Sequence, residues 1–267
     1  MTTQRVLADL NGAAEGVWQA VAPMRPGFAV EVLPTIDSTN TELMRRARQG
    51  VADPMLLVAA DQTAGRGRRG RDWVSRPGAS LTFSLGLPMQ PVNWSGLSLA
   101  VGVSLAESLH PEVRLKWPND LWWQDRKLGG ILVETANVGT QRLAIVGVGL
   151  NVETPDLPSA APVSDGVTPM PPVGLQVLAD DTWPTAGAWL GRVLPTLVRD
   201  LLEFERGGFA AFQLRFAQRD ALLGRAVRLS DGQEGVADGV RSDGALWLKG
   251  PWGRTAVVQH EVSVRPC

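Results

Sequence analysis

Seven residues, Gly65-Arg66-Gly67-Arg68-Arg69-Gly70-Arg71, set four arginines among three glycines in a chain whose formal net charge is only -1. Guanidinium forks match phosphate and carboxylate oxygens two at a time, and glycine lets a backbone approach a ligand closely. The chemistry this spacing suits is a mobile clamp on a polyanion such as a triphosphate, although the same residues could form a solvated charged loop. The glycines formally satisfy G-x-G-x-x-G, but Asp72 to Gly78 leads to another strand and not directly into a helix, which argues against a dinucleotide site. No G-x-x-x-x-G-K-[ST] occurs.

Other residues of chemical interest are ambiguous one at a time. Ser38-Thr39-Asn40 offers three hydrogen-bonding side chains, yet all three types also cap helices. Asn119-Asp120 follows Pro118 and reads as a turn before it reads as a functional pair. Lys127 alone is compatible with an ordinary surface lysine.

The elements that must hold these residues follow from pattern. A short helical lead-in ends at Pro23 and Pro26. Phe28 to Ile36 alternates as a strand does, and the next helix carries Leu43, Met44 and Ala47 on one face before Gly50; Thr39 with Glu42 has capping-box spacing. Met55 to Ala60 and Ser80 to Leu87 read as buried strands, so the arginine loop hangs between two strands, and Leu97 to Leu109 has helical periodicity. Val113 to Trp117 and Leu121 to Trp123 read as strands joined at Pro118-Asn119-Asp120. Ile131 to Thr135 and Arg142 to Leu150 read as a hairpin with Ala136 to Thr140 as its loop, which brings Lys127-Leu128-Gly129 beside Gly149-Leu150-Asn151. Glu153 to Pro172 holds six prolines and no lysine or arginine, as a loop or lid does. Helical stretches near Thr185 to Arg206 and Phe209 to Leu222 precede short β runs with frequent turns, the pattern of a small barrel.

Composition narrows the function classes. With 267 residues, 44% hydrophobic and 20% charged, the chain is globular, and its near-neutral balance makes anion binding local rather than global. One cysteine, Cys267, excludes an internal disulfide, and two histidines, His110 and His260, give no zinc set. The first 25 residues lack the pattern of a secretion signal and no 18-residue apolar run is present, so a cytoplasmic protein that neither binds a membrane nor coats nucleic acid is expected.

Taken in order, the motifs resemble those of biotin protein ligases (biotin–acetyl-CoA-carboxylase ligases). The resemblance runs through Ser38-Thr39-Asn40, Gln62 to Arg71 with Trp73 and Ser75, Lys116-Trp117-Pro118-Asn119-Asp120-Leu121, Lys127 to Glu134, and Gly147-Val148-Gly149-Leu150-Asn151-Val152, and resumes in the terminal barrel. It implies an α+β fold: a mixed sheet flanked by helices, like class II aminoacyl-tRNA synthetases, followed by a small SH3-like β-barrel. The domains expected are a catalytic domain over 1–221 and the barrel over 222–267. It also implies activation of biotin by ATP to biotinyl-5′-adenylate with release of pyrophosphate, then transfer to one lysine of a biotin carboxyl carrier protein domain.

The resemblance assigns chemistry to Lys127 and Arg66. It gives biotin contacts to Ser38, Thr39, Asn40, Gln62, Gly65, Arg66, Arg68, Lys127, Gly129 and Gly130, and nucleotide contacts to Arg68, Arg69, Arg71, Trp73, Lys116, Asn119, Gly149 and Asn151. Trp73 either covers ligand or packs in the core. Asp120 is either a Mg²⁺ ligand or an orienter of Lys116. Some family members carry an N-terminal DNA-binding domain; the 37 residues before Ser38 are too few for it, so no repressor activity is expected. The sheet edge could support a homodimer. Two other readings stay open: a lipoate ligase of the same fold, and an arginine loop that contacts nucleic acid.

Overall fold

The computed structural model describes residues 2–156, 171–178, 184–251, 253–258 and 264–267. In chain order the elements are α1 (Thr3–Val21), β1 (Ala29–Leu33), α2 (Thr39–Arg48), β2 (Met55–Ala59), β3 (Gly65–Arg66), β4 (Asp72–Trp73), β5 (Ser80–Pro88), α3 (Leu97–Leu109), β6 (Arg114–Lys116), β7 (Asp120–Trp123), β8 (Arg126–Val138) and β9 (Gln141–Asn151). Then come α4 (Ala186–Gly207), α5 (Gln213–Ala217), β10 (Ala226–Leu229), β11 (Glu234–Val240), β12 (Leu246–Gly250), β13 (Gly253–Val257) and β14 (Val264–Pro266). The chain forms two compact units, Met1–Met89 with Trp122–Pro195, and Gln90–Leu121 with Thr196–Cys267.

The first unit is built on a mixed sheet in the order β1-β2-β5-β9-β8. β1 runs parallel to β2, and the remaining pairs are antiparallel. The apolar runs of β2 and β5 have both faces covered: Leu56, Leu57, Val58, Phe83 and Leu85 are each wholly buried. On one face α2 presses Leu43 and Ala47 onto Leu57, Leu143 and Ile145. Burying each such side chain stabilises the unit by about 1.5–3 kcal/mol. Helix α1 buries Val6, Leu10, Ala14, Val17 and Val21, a three-to-four-residue stripe, and packs on β1.

The β8–β9 hairpin is longer than its sequence suggests. Pairing continues from Gly129↔Leu150 out to Val138↔Gln141, so the turn is only Gly139-Thr140 and Ala136, Asn137 and Val138 belong to the strand. Gly139 takes φ 57°, which a two-residue hairpin turn requires. Ala136 and Val138 pack against the α2 core, and that burial outweighs their turn-like neighbours. At the other end the register is as expected, with Gly129 and Gly130 opposite Leu150 and Gly149.

The second unit contains α3, whose apolar residues fall all round it; ten of its thirteen residues are buried. Its five-stranded antiparallel sheet has the order β13-β12-β11-β10-β14. Trp117, wholly buried, donates its indole N–H to Gly244 O at 3.0 Å. The helix expected over Phe209 to Leu222 is reduced to α5 behind a 3-10 turn at Gly208–Phe212. Gly208 at φ 59° ends the preceding helix, and Phe209, Phe212 and Phe216 are then all buried. Burial pushes the Asp220 carboxyl up to about 6, with Oδ1 accepting from Leu222 N at 2.8 Å. Among the described residues no helix is long and apolar enough to cross a membrane. The proline-rich segment lies outside the described residues over 157–170, and so does the tail over 259–263.

Candidate functional site

The turn from β1 into α2 brings Ser38, Thr39 and Asn40 inward, each only 3% exposed. Ser38, not Thr39, is the N-cap: its Oγ accepts from Thr41 N at 3.4 Å. Glu42 does not close a capping box but pairs with Arg46 and Arg45, whose hydrogen bonds hold its carboxyl below the usual range. Asp37, gripped by both terminal nitrogens of Arg45 at 2.7 and 3.0 Å, is lowered likewise. The turn is thus fixed from outside by a charged clasp. That leaves Thr39 and Asn40 available for the interior.

Thr39 directs its backbone N–H and its hydroxyl to Gln62 Oε1, at 2.7 and 3.0 Å. Asn40 donates Nδ2 to Leu132 O at 3.2 Å and to Glu134 Oε2 at 2.9 Å. Ser84 Oγ, wholly buried on β5, lies 2.7 Å from Thr39 Oγ1 and 2.6 Å from Asn40 Oδ1. A hydroxyl carries one proton, so Ser84 donates to one of the two at a time and the network retains a choice of polarity. Asn40 lies directly over Gly147: a Cβ there would collide with its amide group. Gly147 is therefore glycine because a polar side chain occupies its Cβ position.

The arginine loop is an ordered hairpin. β3 pairs with β4 through Gly65↔Trp73 and Arg66↔Asp72, and Gly67 N donates to Arg71 O at 2.7 Å. Its tip turns through two left-handed residues, Arg69 (φ 58°) and Gly70 (φ 71°). A non-glycine residue there costs on the order of 1 kcal/mol. Arg66, Arg69 and Arg71 are exposed and Arg68 is half-buried. Trp73 folds its indole over Gly149, where any Cβ would strike the ring, and its buried N–H has no acceptor among the described residues. Arg66 pairs with Glu134 Oε1 at 3.6 Å. The loop is also tied to the polar turn by Gln62 N, which donates to Ser75 Oγ at 3.3 Å.

Lys127 sits at the head of β8, just before pairing with β9 begins. Its backbone is held on both sides: N–H donates to Pro171 O at 3.0 Å, and its carbonyl accepts from Val173 N at 2.9 Å. Asn151 Nδ2 donates to the same Lys127 carbonyl at 3.2 Å and to Val173 O at 3.1 Å. Asn151, expected to touch nucleotide, here spends both amide hydrogens on the chain around Lys127. The segment 171–173, whose prolines close the stretch read as a loop or lid, is the strap that pins the lysine backbone.

In the second unit, Lys116 is 8% exposed and its Nζ lies 3.3 Å from Asp120 Oδ2. Of the two roles open to Asp120, this geometry fits the orienter of Lys116. Asn119 lies in the same turn, after the cis Trp117–Pro118 bond. Among the described residues no three histidines, cysteines or carboxylates cluster as a metal site.

The first unit therefore gathers Thr39, Asn40, Gln62, Gly65, Arg66, Trp73 and Gly149 around one face of the β8–β9–β5 sheet. Sequence reasoning missed Ser84 and Glu134. The alternation Ser80-Leu81-Thr82-Phe83-Ser84 was the available signal for the first, a polar face on a strand with no exposed side. Glu134 lay inside a quoted motif without a role.

Known proteins bear on this geometry. Residues 32–151 match the biotin/lipoate A/B protein ligase family. The bifunctional ligase/repressor BirA of Escherichia coli is 38% identical over 234 residues, 84% of this chain and 70% of that protein. The biotin--[acetyl-CoA-carboxylase] ligase of Mycobacterium tuberculosis is 33% identical over 273 residues, 96% of this chain and 92% of the relative. A biotin protein ligase from Aquifex aeolicus, solved with biotin and ATP, superposes with a TM-score of 0.74 at 28% identity over 90% of this chain and 99% of that one. A polar turn, an arginine hairpin and a strapped lysine on one glycine-lined sheet, together with these likenesses, make the chain a member of the biotin/lipoate A/B protein ligase family.

Proposed function

We propose that this chain is a cytoplasmic, ATP-dependent biotin protein ligase that forms biotinyl-5′-adenylate and transfers biotin to a lysine of a biotin carboxyl carrier domain. One observation carries the choice of acyl group: the pocket floor is polar and buried, with Thr39, Asn40, Gln62 and Ser84 bonded to one another. A ureido ring offers donors and an acceptor that can exchange into such a floor, whereas the dithiolane of lipoate offers no hydrogen-bonding group to it.

The reaction drives one anion onto another. A carboxylate oxygen of biotin attacks the α-phosphorus and pyrophosphate leaves; positioned cations must offset the repulsion. We assign this role to Lys127, whose backbone is held by Pro171, Val173 and Asn151, and give the phosphates to Arg66, Arg68, Arg69 and Arg71. Trp73 shields the mixed anhydride from water. The amine of the carrier lysine then attacks the acyl carbon and AMP leaves. Magnesium, when bound, would lower the charge of the phosphates; such an ion takes few protein carboxylates, so the lack of an acidic cage among the described residues is compatible with it, and Asp120 keeps the role of orienting Lys116. We also read the 1–221 stretch as a catalytic domain of the class II synthetase type and 222–267 as an SH3-like barrel.

The test is direct. With biotin, Mg-ATP and a carrier domain, we expect a biotin-sized mass gain on one lysine of the carrier, and none with lipoate. Modification by lipoate, or by neither acid, would overturn the assignment.

A further inference from the structure

We infer that Glu134 is a positioning residue that holds Arg66 at the pocket until substrate oxygens replace it. The inference rests on the ligase reading, because it takes an anionic substrate to be what Arg66 meets. Glu134 projects from β8 with its carboxylate divided between two tasks. Oε2 accepts from Asn40 Nδ2 at 2.9 Å, and Oε1 faces Arg66 at 3.6 Å. Asn40 is buried in the floor and Arg66 is half-exposed at the base of the loop, so this one side chain connects the two parts of the site.

The two contacts differ in strength. The Asn40 contact is short and sits against a floor of bonded polar groups, so it fixes the carboxylate. The Arg66 contact is longer and half-solvated, and pairs of that kind contribute little. A tether that weak orders the arginine without committing it: a substrate carboxylate or phosphate that presents two oxygens to the guanidinium can displace a monodentate partner. With Arg66 neutralised in the meantime, the hairpin that starts at Gly65 has a defined base although Arg69 and Arg71 are exposed.

Two substitutions separate this role from a merely structural one. Glu134→Gln keeps an acceptor for Asn40 but deletes the charge; Glu134→Ala deletes both. For Glu134→Gln we expect trypsin to cut the ligand-free protein after Arg66 to Arg71 roughly two- to fivefold faster than wild type, the difference vanishing with biotin and Mg-ATP present. Biotin should bind Glu134→Gln two- to fivefold tighter, since Arg66 no longer has to leave an anion, and Glu134→Ala more weakly than wild type, since Asn40 has lost one of its two acceptors. Opposite signs in the two variants support the tether. The same sign in both, or an unchanged cleavage rate in ligand-free Glu134→Gln, overturns it. The cleavage assay needs no ligand, so it reports on the tether even if wild type fails to bind biotin, an outcome that would sink the ligase reading and the exchange step with it.

Discussion

The floor and the rim of the site are built on opposite principles. In the floor, Thr39, Gln62, Ser84 and the amide oxygen of Asn40 are hydrogen-bonded to one another, and Gly147 is missing a side chain because Asn40 fills its place. On the rim, Arg66, Arg69 and Arg71 stand in solvent on a hairpin whose ladder is two residues long on each side. A prepaired floor is specific, since a ligand must reproduce hydrogen bonds it displaces, and it cannot adjust. An exposed cationic hairpin discriminates poorly and adapts readily, which suits a group that must neutralise a triphosphate and later release pyrophosphate. On the proposed function, the difference would put recognition in the floor and charge handling on the rim.

Lys127 sharpens this division, because it belongs to neither. Its backbone is pinned at 171–173 and by Asn151, which fixes the point from which the side chain carries its charge. Lys127→Ala should lower the single-turnover rate of pyrophosphate release by roughly 10²–10³-fold at saturating biotin and ATP, the loss typical of a preorganised charge stabiliser. A near-wild-type rate would place the chemistry on the rim alone.

The floor is tested at Gly147. Any side chain there must displace the Asn40 amide, and overpacking of this kind costs about 1–3 kcal/mol. Gly147→Ala should therefore weaken biotin binding about ten- to a hundredfold by calorimetry while leaving ATP binding within about twofold, a split expected if floor and rim act separately. Equal losses for both ligands would merge the two regions into one.

How much of this was legible in the sequence depended on range. The strands at Met55 and Ser80, α3 and the pairing of 129–130 with 149–150 followed from local apolar pattern, which the sheet then preserved. The cap moved from Thr39 to Ser38 because Thr39 has a better partner in Gln62, 23 residues away. Ser84, Glu134 and the 171–173 strap are defined only by what approaches them through space: Asn40 across the sheet in two cases, and Lys127 in the third. Charge on the rim was the most visible feature of the sequence for the complementary reason, that nothing in the fold hides it.

The rim makes the smallest prediction and the one most sensitive to conditions. Arg68 is half-buried where its neighbours are exposed, so it is the loop arginine best placed to keep a bound intermediate from leaving. A charge-assisted hydrogen bond of this sort contributes about 1.5 kcal/mol beyond the rest of the contact, which corresponds to about tenfold. Arg68→Ala should release radiolabelled adenylate about tenfold faster with biotin affinity nearly unchanged, and the gap between variant and wild type should narrow as ionic strength rises and screens the wild-type contact. An unchanged release rate, or a loss of biotin affinity as large as that of Gly147→Ala, would show that the hairpin shares the work of the floor.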